Sequence, residues 1–95
     1  LEALKTIRIL LEKGDATKSA AAFETLKTKM MSGIGSSKDR MGEAQGSGDA
    51  AKAAKLLETH QTRADLYNRA IQLSKSTPVD KGAIVFLLQQ YAKTL

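Results

Sequence analysis

The 95-residue sequence contains no cysteine, no tryptophan, one proline and one histidine. Without cysteine the chain forms no disulfide and offers no thiolate to a metal, so a small secreted fold held by disulfides is excluded. A single histidine leaves no cluster of transition-metal ligands with suitable spacing. We therefore expect no metal and no cofactor.

Aromatic residues are also scarce, with two Phe and two Tyr. No apolar run approaches the ~20 residues that a membrane-spanning helix requires, and no signal-peptide pattern opens the chain. These absences, together with that of cysteine, favour an intracellular protein, cytoplasmic or nuclear. Because the first residue is Leu rather than Met, we expect the chain to be a piece of a longer protein.

The composition is that of a globular domain, with 42% hydrophobic and 26% charged residues, and it predicts a single domain over 1–95. The formal net charge is +5, which permits an anionic partner such as nucleic acid, a lipid surface or an acidic protein. The basic residues are spread from Lys5 to Lys93 without a run of five or six. Such a spread is typical of a solvated surface.

Helical periodicity dominates the first third of the chain. Apolar residues recur over 1–13 at the three- and four-residue spacing of an amphipathic helix. Gly14 ends that helix, and Asp15 caps the next one, which the pattern places over 15–31. Because so short a link makes the two helices antiparallel, residues 1–31 are predicted to form a helical hairpin.

The apolar pattern stops after this hairpin. Residues 32–48 contain five glycines and four serines, and each glycine in a helix interior costs about 1 kcal/mol relative to alanine. We expect a flexible Gly/Ser-rich connection here. A short helix from Ser37 to Gln45 is the alternative.

Residues 49–95 are predicted to form a long helix, over 49–75, and a C-terminal helix. Thr77, Pro78 and Asp80 form a capping signal that opens the last helix at about residue 78. The whole pattern predicts an all-α fold, an antiparallel bundle of four to five helices. The apolar stripe of the long helix consists of Ala50, Ala53, Ala54, Leu57, His60, Ala64, Tyr67 and Ile71, and it is widened by Leu56, Leu66, Ala70 and Leu73.

A Gly-Asp-Ala triplet occurs twice, at 14–16 and 48–50, and the copies are 34 residues apart. Ala20 and Phe23 follow the first triplet, and Ala53 and Leu57 follow the second. This spacing resembles the turn and second helix of a tetratricopeptide repeat over about half of the chain. The resemblance implies tetratricopeptide-like helical hairpins as the alternative to a bundle.

The residue patterns do not predict catalysis. His60 has no carboxylate at a spacing that would orient it as a general base. The segment from Gly33 to Lys38 departs from a phosphate-binding loop because it follows a helix rather than a strand. A weaker hypothesis is that a helix starting near Ser37 binds an anion at its N-terminus, with Lys38 and Arg40 beside it. The acidic residues are scattered, and we predict that the chain is not an enzyme.

The adjacent apolar residues Val85 and Phe86 fall outside the apolar stripe of the last helix, which predicts a docking face. With their polar neighbours they define a partner-binding set of Val85, Phe86, Gln89 and Gln90, beside the outer face of the long helix. The predicted function is a non-catalytic protein–protein interaction or scaffold module that binds a partner helix or peptide. The alternative is a basic helical domain that binds nucleic acid through distributed Lys and Arg residues. A regulatory piece of a larger enzyme is a third possibility.

Overall fold

The computed structural model describes residues 2–75 and 80–95, which form four α-helices. No strand occurs in these two ranges, and the prediction of an all-α helical bundle is confirmed. Among the described residues, no helix combines the length and the apolarity that a membrane crossing requires. The helices are α1 (Glu2–Lys13), α2 (Ala16–Gly46), α3 (Ala50–Ser74) and α4 (Lys81–Ala92).

An aspartate caps the N-terminus of each helix after the first. The side chains of Asp15, Asp49 and Asp80 accept hydrogen bonds from backbone N–H groups three residues later, at 2.8, 3.0 and 3.1 Å. Asp80, which the sequence placed inside the last helix, is therefore the N-cap of α4. The predicted capping role of Thr77 and Pro78 lies outside the described residues.

The two Gly-Asp-Ala triplets lie at the two turns that precede α2 and α3. Gly48 is the one described residue with a positive φ, at 78°, which a residue without a Cβ adopts readily. A single helix, α2, fills the interval between the two turns. The resemblance to a tetratricopeptide repeat stays a prediction.

The structure corrects the expectation of a flexible connection over 32–48, because α2 continues without interruption as far as Gly46. The helix includes the segment from Ser37 to Gln45 that was the alternative, but it starts 21 residues before Ser37, at Ala16. No proline interrupts this stretch, and a helix that has already formed is extended at little nucleation cost.

Packing against α3 compensates for the glycines of α2. The buried residues Phe23, Met30, Ser37 and Ala44 recur at intervals of seven along the helix. A seven-residue repeat keeps one seam of a helix facing a neighbouring helix. The small side chains at the end of this seam bring α2 and α3 close together, and that tertiary contact stabilises the helix where its intrinsic propensity is low.

Around the bundle each helix packs against the next, and α4 closes on α1. Within the fully described stretch 34–60, no residue belongs to the hydrophobic core. These residues, which we call the hairpin extension, are the part of α2 and α3 that projects past the core. The molecule is accordingly elongated, at 49 × 26 × 16 Å. The core consists of Leu4, Ile7, Leu11, Ala22, Phe23, Leu26, Met30, Leu66, Ala70, Ile84, Leu87, Leu88 and Tyr91.

The apolar stripe predicted for the long helix agrees only in part with what α3 buries. Leu66 and Ala70, which widen the stripe, are buried, whereas Leu57 is 41% exposed and His60 is only half-buried. Arg63, which lies outside the stripe, is buried as well. The alanine-rich pattern of α3 is apolar over most of its circumference, so it defines no single face. The contacts with α2 and α4 decide which residues are buried.

Candidate functional site

Helix α4 carries all four residues of the predicted partner-binding set, but the structure does not place them on one face. Val85 is half-buried and lines a depression with Leu11 and Glu12 of α1. Gln89, one turn later, lies beside Arg8. With its amide oxygen turned toward the guanidinium, Gln89 accepts from Nη1 and Nη2 at 3.1 and 3.3 Å. Val85 and Gln89 therefore contact α1.

Phe86 lies on the other side of α4, toward α3, and is 52% exposed. Gln90 follows Phe86 by one helical turn and is half-buried. Two adjacent residues on a helix point about 100° apart. Val85 therefore faces α1, whereas Phe86 faces α3. Phe86 is the member of the predicted set that remains available to a partner.

Phe86 borders an open groove of about 610 Å³ between α3 and α4, which we call the Phe86 groove. Its volume lies in the range typical of ligand-binding clefts. Apolar residues from both helices line it, among them the exposed Phe86, the half-buried Leu73 and the buried Leu87. The lining residues are Asn68, Arg69, Gln72 and Leu73 from α3 and Ala83, Phe86 and Leu87 from α4.

A local feature of α4 explains why the groove is open. Ala83 precedes Phe86 and Leu87 by three and four residues, so the three side chains share one side of the helix. Because the alanine side chain ends at Cβ, it leaves the space beside the phenyl ring unfilled. The sequence pointed to the outer face of the long helix but assigned no α3 residue to the docking face, since contact between α3 and α4 is a tertiary property.

Among the described residues that line the groove, Arg69 is the one that carries a charge. It is exposed and forms no ion pair with another residue of the described ranges, Asp65 included. The ion pairs of the described part of the chain join Glu2 to Lys5, Arg8 to Glu12 and Glu24 to Lys27. The groove thus combines an apolar surface with one unpaired positive charge.

Apart from the groove, a cluster of polar groups centred on Arg63 lies inside the bundle. Arg63 is only 5% exposed and donates from Nη1 to the Gly33 carbonyl oxygen at 2.8 Å. Its Nε and Nη2 donate to Oγ1 and the carbonyl oxygen of Thr94, at 3.0 and 2.8 Å. No carboxylate pairs with it among the described residues. Arg63 thus joins α2 and the turn after α4 to α3.

Tyr91 packs beside Arg63, with the guanidinium 5.9 Å from the ring centre. Its hydroxyl donates to the Lys29 carbonyl oxygen at 3.1 Å. Burial raises the pKa of Tyr91 above its ordinary value, and the positive charge of Arg63 opposes that shift in part. The fold therefore favours the neutral phenol.

This pKa shift predicts that stability is lost at high pH. An unperturbed Tyr has a pKa of about 10, so the unfolded chain loses its phenolic proton at lower pH than the folded protein does. The contribution of Tyr91 is full below about pH 10 and is lost as the pH rises through the folded-state pKa. We expect the free energy of unfolding to fall more steeply in the wild type than in Tyr91→Phe, in urea titrations from about pH 8 to about pH 11. Parallel slopes would contradict this prediction.

The serine–histidine pair of the hairpin extension does not form a catalytic dyad. Ser37 Oγ lies 2.7 Å from His60 Nδ1 and also donates to the Ile34 carbonyl oxygen at 2.9 Å. Ser37 is 1% exposed, so a substrate has no access to its hydroxyl. The pair joins α2 to α3. Among the described residues, no group of three or more potential metal ligands comes together.

No protein-family model, curated protein or solved structure matches this chain.

Proposed function

We propose that this chain is a non-catalytic protein–protein interaction module that binds an amphipathic helix of a partner protein in the Phe86 groove. The observation that supports the proposal is the exposure of half of Phe86 beside an apolar groove of about 610 Å³. Exposed aromatic residues beside a cleft are typical anchors of protein interfaces.

The burial of Phe86 supplies a useful part of a binding energy. A Phe side chain buries roughly 150–250 Å², and about half of that surface is still exposed here. Covering roughly 100 Å² at about 25 cal/mol/Å² stabilises a complex by about 2.5 kcal/mol. That amount corresponds to a roughly 70-fold change in dissociation constant.

A helix fits this groove better than an extended peptide does. Two antiparallel helices form its walls, and a third helix laid between them packs its side-chain ridges into their grooves. A peptide that binds by adding a strand needs the edge of a sheet, and the described residues include no strand. Recognition of a helix in a groove is therefore the mode that the site supports.

Replacing Phe86 by serine is expected to weaken binding of a partner helix at least tenfold, because the main apolar anchor is lost. The probe is a labelled amphipathic peptide about five turns long, with leucines at helical spacing and glutamates on its polar face, and the readout is fluorescence anisotropy. Ile9→Ser is the matched control, since Ile9 is 56% exposed on α1 and away from the groove. It should leave the affinity unchanged.

Both variants should keep the helical circular dichroism of the wild type, because both positions are exposed. Unfolding of Phe86→Ser would show that Phe86 is a core residue, and equal affinities for the two variants would show that the groove is not the binding site. Either result contradicts the proposal.

Binding of nucleic acid, the alternative, has support only in the net charge of +5. The hairpin extension contains four basic and four acidic residues, so it provides no positive surface for phosphates. Phosphate-driven affinity falls steeply between about 50 and 200 mM salt. Tight, salt-sensitive binding of a DNA or RNA duplex that is unaffected by Phe86→Ser would favour the alternative.

A further inference from the structure

The electrostatics of the Phe86 groove point to an acidic partner, and this inference rests on the proposed function. We infer that the bound segment is an acidic amphipathic helix. Its apolar stripe covers Phe86, and a carboxylate on the neighbouring turn pairs with Arg69. The occupant is thus defined by its chemistry as a helix with aliphatic anchors and a glutamate- or aspartate-rich flank.

The position of Arg69 is the first argument. It is the only charged residue among those that line the groove, and no ion pair within the described part of the chain engages it. A guanidinium presents several N–H donors in a planar fork that matches a carboxylate. A partner carboxylate would therefore meet a donor that has no competing counter-ion.

The charge surrounding the groove is the second argument. The segment 61–95, which includes both walls, contains five basic and two acidic residues. Of the five, Arg63 is buried, whereas Arg69, Lys75, Lys81 and Lys93 are exposed. The positive net charge of this half of the bundle favours approach of an anionic segment.

The two acidic residues of this segment do not neutralise its exposed basic residues. The carboxylate of Asp80 accepts a hydrogen bond from the Ala83 N–H at the start of α4. Asp65 lies one turn before Arg69 on α3 and is exposed, so it reduces the potential at Arg69 without pairing with it. Four exposed cations against two carboxylates leave the segment 61–95 with a positive net charge.

A second copy of this chain is a poor occupant for the same electrostatic reason. Each copy carries a net charge of +5, and like charges oppose association at low ionic strength. A nucleic acid is a poor occupant because the groove wall is formed largely by apolar side chains, which make no contribution to phosphate binding. An acidic protein helix satisfies both the apolar and the charged part of the site.

The test uses three peptides that share one leucine stripe and differ only in their polar face, which carries Glu, Gln or Lys. We expect the Glu peptide to bind the wild type most tightly and the Lys peptide least tightly, with the differences shrinking as salt increases. Arg69→Glu should weaken the Glu peptide about three- to tenfold and strengthen the Lys peptide. Lys55→Glu, an exposed charge reversal in the hairpin extension, should leave the order unchanged.

The outcomes separate this inference from the proposed function. If all three peptides bind equally and Phe86→Ser weakens each of them, the groove binds helices but the acidic partner is overturned. If the Lys peptide binds most tightly, the inference of an acidic partner is overturned as well. If no peptide binds, or if Phe86→Ser has no effect on binding, the proposed function itself is wrong and the inference falls with it.

Discussion

Replacing Arg63 by methionine is expected to lower the free energy of unfolding by about 2–4 kcal/mol. Three hydrogen bonds from the guanidinium are lost, one to the carbonyl oxygen of Gly33 and two to Thr94. A methionine side chain has a similar length and restores the apolar contacts but none of the donors. Urea unfolding followed by circular dichroism measures the change.

Two further substitutions show whether the hydrogen-bond geometry is the cause. Arg63→Lys keeps the charge but lacks the planar fork that reaches both α2 and the C-terminal turn, so it should lose nearly as much stability. Arg69→Met makes the same chemical change on the exposed side of α3 and should stay within about 0.5 kcal/mol of the wild type. Equal effects of Arg63→Met and Arg69→Met would contradict the assigned role of Arg63.

Replacing Gly33 by alanine is expected to destabilise the protein by about 1–3 kcal/mol, although alanine is the better helix former. A Cβ at this position would collide with the hydroxyl of Tyr91 and come within 3.0 Å of its Cζ. The ring cannot easily move away, since Tyr91 is only 3% exposed and its hydroxyl bonds to Lys29. The steric cost therefore exceeds the gain in helix propensity.

The same helix provides matched controls for this prediction. A Cβ at Gly35 or Gly42 would meet nothing within 4 Å, so Gly35→Ala and Gly42→Ala should each stabilise α2 by up to about 1 kcal/mol. In a Tyr91→Phe background the loss caused by Gly33→Ala should shrink, because the closest clashing atom is absent. Stabilisation by alanine at all three glycines would show that Tyr91 does not restrict position 33.

Local sequence chemistry predicted most of the helix ends in this protein. A capping aspartate acts through its own backbone within three residues, so Asp15 and Asp49 could be recognised without knowledge of the fold. The buried stripes of α1 and α4 were visible for a similar reason. Leu4, Ile7 and Leu11 on α1, like Ile84 and Leu88 on α4, are large apolar residues at helical spacing.

Only part of the candidate site could be predicted from the sequence. Val85 and Phe86 both stood out as apolar residues outside the main stripe, and the pattern could not distinguish them. Contact with α1 covers Val85, whereas the short side chain of Ala83 leaves an open groove beside Phe86. Arg69 and the other α3 residues of the groove follow from the way α4 packs, which no local pattern encodes.

The sequence by itself determined that the chain is helical and where α2 and α3 begin, because capping and periodicity are local properties. Only the tertiary structure decided that the glycine-rich part of α2 is helical and that Arg63 is buried. Both depend on partners at least 20 residues away in sequence: Ser37 is held by His60, and Arg63 by Gly33 and Thr94. Residues with weak or contrary local preferences take the conformation that such distant contacts stabilise most.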